Sequence, residues 1–201
     1  MVIKKNNVVK RIGIIPGQGL SGINGASGIV IYNHEVPTYL KSKYANHNKV
    51  GLNKVDSCGY FGIRVDGSYN LIEYNTIENC GLTLNDGAAF YTFGRRKDVN
   101  HHLTLRRNII RKAHENHEAT LGNQIVFNGI YIDNNSADCL IEENTSMDHS
   151  CNGIQNNVAA FNNTYTKNNL FNCRVGVGFY EWGDRIGQTF GNKVLNNTMP
   201  P

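Results

Sequence analysis

Short apolar runs alternate with polar turns along most of the chain, and the alternation is regular. The stretch from residue 128 to 157 reads NGIYIDNNSADCLIEENTSMDHSCNGIQNN and contains one complete repeat. Residues 129–133 read as a short strand, a polar turn and residues 140–144 follow, and Gly153 begins the next repeat 24 residues after Gly129. Because the apolar residues recur with period two and long helical periodicity is absent, the pattern predicts short strands.

Two motifs alternate along the chain. The first, Asn-x-apolar-x-polar-small, begins at Asn53, Asn75, Asn108, Asn144, Asn168 and Asn192, with spacings of 22, 33, 36, 24 and 24 residues. The second, a small residue followed by apolar-x-apolar, precedes each one and begins at Gly28, Gly62, Ala89, Gly129, Gly153 and Gly176. Repeats of this length are typical of solenoids, and the longer spacings indicate coils that carry inserted loops.

Strands this short cannot bury an apolar face alone, but stacked coils bury a continuous core. The sequence therefore predicts an all-β, right-handed parallel β-helix of about six to seven coils, forming a single domain over residues 1–201. Neighbouring coils are expected about 4.8 Å apart, with the asparagines in an inward ladder at a turn. Both ends break off within the repeat without a visible cap, so we expect a fragment of a longer protein, incomplete at one or both ends.

The period of two assigns each strand residue to the core or to the outer surface. The predicted inward rows are Ile29, Ile63, Phe90, Ile130, Ile154 and Val177, and then Ile31, Val65, Thr92, Ile132, Asn156 and Phe179. The predicted outward rows are Val30, Arg64, Tyr91, Tyr131, Gln155 and Gly178, and then Tyr32, Asp66, Phe93, Asp133, Asn157 and Tyr180. Aromatic rings beside carboxylates and amides form the kind of surface that binds sugars.

Composition and charge exclude several other classes of protein. The five cysteines are odd in number and scattered, with Cys58, Cys80 and Cys173 at one inward position, so we expect unpaired structural thiols and no metal site or cofactor. Residues 95–117 are basic, but the net charge is only +4 and no RNA- or DNA-binding motif accompanies them. We therefore expect no nucleic-acid partner. No signal peptide and no membrane-length apolar run is present, so no membrane partner is expected.

Three segments resemble a known family: GIYIDNNSADCLIEENTS, DGAAFYTFGRRKDVNHHLTLRRNII and GIRVDGSYNLIEYNTIENCG. They are similar to right-handed parallel β-helix proteins of the pectate-lyase-like superfamily, in particular to bacterial carbohydrate-active members that carry D-x-GG-I-Y-T-x-G and then G-I-Y-L-D-x-x-S-S. The chain departs from that pattern at Ala88-Ala89, at Asn134-Asn135 and in the amides of residues 155–157.

The resemblance implies a carbohydrate-active protein with a polysaccharide or oligosaccharide as its partner, located outside the cytoplasm as a secreted, periplasmic or cell-surface protein. The superfamily contains hydrolases, lyases, epimerases, esterases and phage tailspikes, so the fold does not determine the activity. A glycoside hydrolase is the first expectation. A polysaccharide lyase acting on an acidic glycan, and a non-catalytic glycan-binding, adhesin or tailspike-type β-helix, stay open as alternatives. The sequence does not indicate an oligomeric state.

A glycoside hydrolase needs two carboxylates. The candidates are Asp133, Asp66, Asp86 and Glu181, with Asp133 first because it ends the central strand and matches the carboxylate of the G-I-Y-L-D segment. Two coils separate Asp66 from Asp133, which predicts about 9.6 Å between equivalent atoms. The expected substrate-binding residues are Arg64, Tyr91, Tyr131, Gln155, Asn157, Tyr180, Arg95 and His101. In a lyase, Arg64, Arg95 or His101 would be the base. Three insertions, residues 33–47, 94–102 and 114–127, interrupt the repeat, and the last two are expected to overhang the site.

Overall fold

The computed structural model describes residues 1–4, 6–15, 25–32, 45–118, 126–181 and 187–200. Most of the predicted insertion at 33–47 and part of the insertion at 114–127 lie outside these residues. Within them the chain is built from strands and turns, and no helix able to cross a membrane is found there.

The described residues form seventeen strands. These are β1 (Val2–Lys4), β2 (Val8–Ile12), β3 (Ile29–Ile31), β4 (Lys49–Gly51), β5 (Lys54–Cys58), β6 (Ile63–Val65), β7 (Leu71–Glu73), β8 (Thr76–Cys80), β9 (Gly87–Thr92), β10 (Thr104–Arg106), β11 (Ile109–Ala113), β12 (Phe127–Ile132), β13 (Leu140–Glu142), β14 (Thr145–Asn156), β15 (Thr164–Thr166), β16 (Asn169–Phe179) and β17 (Lys193–Leu195).

All strand pairs in this part of the chain are parallel, and they arrange into three faces. Face A is the row β1-β4-β7-β10-β13-β15-β17, which gives seven coils. Face B contains β2, β5, β8, β11 and the first halves of β14 and β16. Face C contains β3, β6, β9, β12 and the second halves of the same two long strands. The fold is therefore a right-handed parallel β-helix, as predicted.

The register confirms the predicted inward phase of face C. Ile63 pairs with Phe90, which pairs with Ile130 and then Ile154, and each of these side chains is fully buried. Faces A and B also bury apolar side chains in the core, such as Ile72 on β7 of face A and Ile110 on β11 of face B. Each buried branched side chain stabilises the stack by about 1.5–3 kcal/mol relative to an exposed one.

A buried asparagine ladder runs along the turn between faces A and B. Asn75 is typical: its side-chain amide and backbone N–H both donate to Oδ1 of Asn108, at 2.9 and 2.8 Å. Its amide also donates to the carbonyl of Val50 in the preceding coil. The ladder contains Asn7, Asn53, Asn75, Asn108, Asn144, Asn168 and Asn197.

One predicted ladder member is wrong. Asn192 does not follow Asn168; Asn197 does, and its Oδ1 accepts from the Asn168 amide at 2.9 Å. Asn192 instead accepts from the backbone N–H of Asn163, on the other side of the short face A strands. Asparagines stand at both ends of β15 and of β17, five residues apart, so the sequence motif matched the wrong one of the two.

The turn charges form ion pairs, and the cysteines are unpaired thiols as predicted. Arg106 pairs with Glu73 at 2.8 Å and approaches Glu142 at 4.0 Å, forming an ion-pair row across three coils. Such partly exposed pairs contribute little to stability. Cys58 pairs in register with Cys80 in the core, and all five cysteines are free thiols.

Candidate functional site

The predicted outward row of face C is aligned as expected. Arg64 pairs with Tyr91, which pairs with Tyr131 and then with Gln155. The row is not open to solvent, however, because these four side chains are all less than a tenth exposed. Large aromatic side chains on neighbouring strands touch one another and cover the polar groups between them. The outward row of face C is therefore closely packed. We call the row Arg64, Tyr91, Tyr131 and Gln155 the wall.

Asp133, directly after β12, is the best-connected carboxylate of this region. Its Oδ2 accepts from the Tyr91 hydroxyl, and its Oδ1 accepts from the side-chain amide of Asn157 at 2.6 Å and from the backbone N–H of Asn134 at 2.8 Å. Only 7% of the residue is exposed. Burial raises its pKa above the ordinary aspartate value, while the three donors and Arg64 act in the opposite direction.

Asp66, directly after β6, forms an ion pair with Arg64. The guanidinium Nε and Nη2 donate to Oδ2 of Asp66 at 3.0 and 2.6 Å, and the backbone N–H of Phe93 donates to its Oδ1 at 3.0 Å. Burial raises the pKa of Asp66 to about 6 despite this pairing. These contacts hold the Asp66 carboxylate against its own wall, two coils from Asp133.

An aromatic band, made of the rings of Tyr60, Phe61, Tyr91 and Tyr131, crosses the wall from one coil to the next. Phe61 stacks on Tyr91 with ring centroids 4.3 Å apart, and Tyr91 meets Tyr131 edge-to-face at 5.4 Å. The Arg64 guanidinium lies 5.1 Å from the Tyr91 ring centroid, within cation–π range. Tyr60 extends the band, with its ring centroid 3.7 Å from that of Phe61.

The sequence reasoning missed Tyr60 and Phe61. The available signal was their position, since two aromatic residues directly precede the small residue of a repeat. They fit because Gly87 lies against them: a Cβ there would lie 2.8 Å from Cε2 of Tyr60 and 3.0 Å from Cε1 of Phe61. The glycine thus leaves room for the rings at the start of face C.

Asp86 lies at the other margin of the band, directly before β9. Its backbone carbonyl accepts from the Tyr60 hydroxyl at 2.7 Å, and its N–H donates to the Val126 carbonyl at 2.9 Å. The residue is exposed, yet its pKa is raised because the protein removes part of its solvation and because Asp133 is negatively charged. Asp86 and Asp133 are therefore electrostatically coupled, and Asp86 is the one that solvent reaches.

A row of hydrogen bonds continues from the band toward the later coils. Tyr131 shares a hydrogen bond with Gln155, whose Oε1 accepts from the Asn152 amide at 3.0 Å. The same amide lies 3.2 Å from the Tyr180 hydroxyl. The structure therefore joins Tyr131, Gln155 and Tyr180 to the neighbourhood of Asp133.

Three predicted site residues have other surroundings. The Glu181 carboxylate accepts the backbone N–H of Thr189 at 2.7 Å. His101 contacts His102, with the two Nδ1 atoms 2.8 Å apart, and its ring meets Tyr69 edge-to-face. Arg95 is exposed and follows Gly94, whose N–H donates to the Asn134 carbonyl.

No group of three or more His, Cys, Asp or Glu side chains in the described part of the chain is arranged to hold a metal ion. The polar groups at and beside the wall are carboxylates, phenols, amides and the guanidinium of Arg64. The pKa values of Tyr91 and Tyr131 are raised by burial first and by Asp133 second, which keeps both phenols protonated near neutral pH.

Comparison with known proteins gives one solved structure of similar fold. No protein-family model and no curated protein sequence matches the chain. The enzymatically active domain of bacteriophage CBA120 tailspike protein 2 superposes with a TM-score of 0.55 at 12% sequence identity, covering 96% of this chain. The chain spans 30% of the length of that structure. At this identity the likeness concerns the fold alone, and it agrees with the right-handed parallel β-helix described above.

Proposed function

We propose that the chain is a carbohydrate-active β-helix of the pectate-lyase-like superfamily that hydrolyses glycosidic bonds of a polysaccharide. The observation that carries this proposal is the aromatic band with the buried carboxylate of Asp133 at one margin and the exposed Asp86 at the other. The resemblance of the sequence to that superfamily and the similarity of fold to an enzymatically active tailspike domain support the proposal. The proposal includes a secreted, periplasmic or cell-surface location for the protein.

The two carboxylates differ in exposure and in hydrogen bonding, and the acid and base roles are assigned on that difference. Asp133 accepts three hydrogen bonds that favour its ionised form, so it is assigned as the base that takes a proton from water. Asp86 is the one of the two that solvent reaches, so it is assigned as the acid. The water oxygen bonds to the anomeric carbon as the glycosidic C–O bond breaks, and the Asp86 proton goes to the leaving oxygen.

The side chains favour hydrolysis over lyase chemistry. A lyase needs a base that can take a proton from carbon, and the raised pKa values of Tyr91 and Tyr131 make both phenolates scarce near neutral pH. Arg64 is already paired with Asp66 and packed against aromatic rings. The carboxylates are thus the groups best placed to exchange protons.

The proposed binding surface combines the aromatic band with the amides beside it. Tyr91, Tyr131 and Arg64 form the wall, and Gln155, Asn157 and Tyr180 extend it across later coils. Arg95, on the loop beside Asn134, is placed at the rim. His101 and Glu181 are left out of the proposed site because their contacts are made elsewhere.

Release of reducing sugar from a panel of polysaccharides tests the proposal. We expect Asp133→Asn and Asp86→Asn each to lower kcat by about 10²–10⁴-fold, since an amide neither accepts nor donates the transferred proton. The matched control is Asp148→Asn, a partly exposed aspartate in the first half of β14 on face B, which should retain turnover. Both site variants should keep the circular dichroism spectrum of the parent chain. Wild-type turnover in Asp133→Asn would refute the assignment.

A second candidate is a glycan-binding β-helix without catalysis. The low exposure of Asp133 and the occupation of its oxygens by protein donors favour this alternative. The same panel separates the candidates. A glycan that binds the parent chain but is not cleaved supports the binding protein, and an unsaturated product supports a lyase.

A further inference from the structure

The hydroxyl of Tyr91 is fixed in space by packing on three sides of its ring. Phe61 stacks on one side with an interplanar angle of 16°, Tyr131 meets the ring nearly perpendicular at 88°, and the Arg64 guanidinium lies 5.1 Å from its centroid. The hydroxyl emerges from this packing and donates to Oδ2 of Asp133, one coil further along. The direction of the donated hydrogen bond is therefore set by the wall and not by the flexibility of the side chain.

The other charged and titratable groups around Asp133 act in both directions. Loss of solvation favours the protonated form of Asp133, whereas the hydrogen bonds and the Arg64 charge favour the ionised form. The titratable or charged groups that interact with it are Arg64, Asp66, Asp86, Tyr60, Tyr91 and Tyr131. Among these, Tyr91 is the one whose hydroxyl bonds the Asp133 carboxylate directly.

We propose that Tyr91 is a positioning residue that orients Oδ2 of Asp133 and keeps this carboxylate ionised over the working pH range. The role rests on the proposed function, because it matters for turnover only if Asp133 is the base. Tyr91 exchanges no proton itself. It acts as a fixed donor: without it Asp133 retains two of its three hydrogen bonds and is protonated at a higher pH.

Tyr91→Phe tests this role because it keeps the ring and removes the hydroxyl. Loss of a hydrogen bond to a carboxylate raises its pKa by about one to two, so the acidic limb of kcat/KM should move to a pH higher by at least about one. The loss of turnover should be greatest at acidic pH and should shrink as pH rises, with KM little changed. The matched control is Tyr74→Phe, an exposed tyrosine away from the wall whose hydroxyl accepts from Arg107, and it should leave the acidic limb in place.

Thermal unfolding supplies a readout that does not need turnover. A buried carboxylate with a raised folded pKa costs stability as pH rises from its unfolded value through its folded value. Tyr91→Phe raises that folded pKa further, so its Tm deficit relative to the parent should grow as pH rises. In Asp133→Asn the same substitution should give a deficit that is smaller and independent of pH.

The outcomes separate the two proposals. Absence of turnover in the parent chain on every glycan removes the hydrolase assignment and this role with it. Turnover in the parent chain with an unshifted acidic limb in Tyr91→Phe overturns the positioning role alone. A Tm deficit that is the same at every pH also overturns it, since it would show that the hydroxyl contributes only packing.

Discussion

At the scale of single residues, His149 shows how the core accepts a polar side chain. It occupies the inward position held by cysteines in other coils, and it pairs in register with Cys173. Its Nδ1 accepts the Ala113 N–H at 3.1 Å, and its Nε2 lies 2.9 Å from Oγ of Ser146. Since the Ser146 hydroxyl donates to the Gly153 carbonyl, the ring is neutral with its proton on Nε2.

Burial lowers the pKa of His149 to about 3, with a smaller effect from His114. A folded pKa below the unfolded value of 6.5 means that the unfolded chain binds more protons between these two pH values. We expect the free energy of unfolding to fall by roughly 1 kcal/mol for each pH unit below about 6.5. His149→Gln should remove most of this slope, as measured by chemical denaturation at several pH values.

The exposed His117 supplies the control. His117→Gln should leave the acid sensitivity as it is in the parent chain. If the free energy of unfolding falls equally with decreasing pH in the parent chain and in His149→Gln, another group is responsible.

At the scale of one strand, the period of two predicted which side chains point inward but not how far the outward ones are buried. Ile130 and Ile154 are in the core as predicted. Tyr131, predicted to be outward, is outward and still only 5% exposed. Replacing Tyr131 by Ala should therefore cost stability through lost packing, although the side chain points outward.

β11 offers a sharper test of the strand phase, because two adjacent isoleucines differ in environment. Ile110 is fully buried, whereas Ile109 is 45% exposed. Ile110→Asp should prevent folding because it buries an unpaired charge, whereas Ile109→Asp should change the free energy of unfolding by less than about 1 kcal/mol. Soluble yield, circular dichroism and thermal unfolding of the two variants give the answer. An equal loss of stability and soluble yield in both variants would contradict the assignment of Ile110 as inward and Ile109 as outward.

At the scale of the whole molecule, the asparagine ladder links all seven coils along one turn. Asn168 is fully buried and accepts from both the backbone N–H and the side-chain amide of Asn144. Its own amide donates to the Ile141 carbonyl and to Asn197. Each rung therefore satisfies polar groups of two neighbouring coils.

Asn168→Ala should destabilise the chain by roughly 3 kcal/mol, because the buried backbone N–H of Asn144 loses its acceptor and its side-chain amide keeps only the Leu105 carbonyl. The adjacent Asn169 is exposed, and Asn169→Ala should cost less than about 1 kcal/mol. Denaturant unfolding of both variants compares the two positions directly. A similar cost at both would show that the ladder contributes no more than a surface amide.

The sequence by itself determined the features that repeat. Coil number, parallel pairing, inward phase and most of the ladder follow from the spacing of Asn, small and apolar residues, because stacked coils place equal positions next to one another. Asp66 and Asp133 could be placed two coils apart for the same reason. The Asn192 assignment failed where two asparagines flank one strand, since either satisfies the motif.

Only the tertiary structure decided what depends on contacts between non-equivalent positions. Asp86 is coupled to Asp133 from the opposite margin of face C, and Tyr60 enters the band beside Gly87. His101 faces His102 and Tyr69 and is not part of this wall. These relations depend on the course of turns and on the packing of side chains across coils. A repeat period encodes neither, so the burial of the wall and the membership of the site emerge only when the coils are stacked.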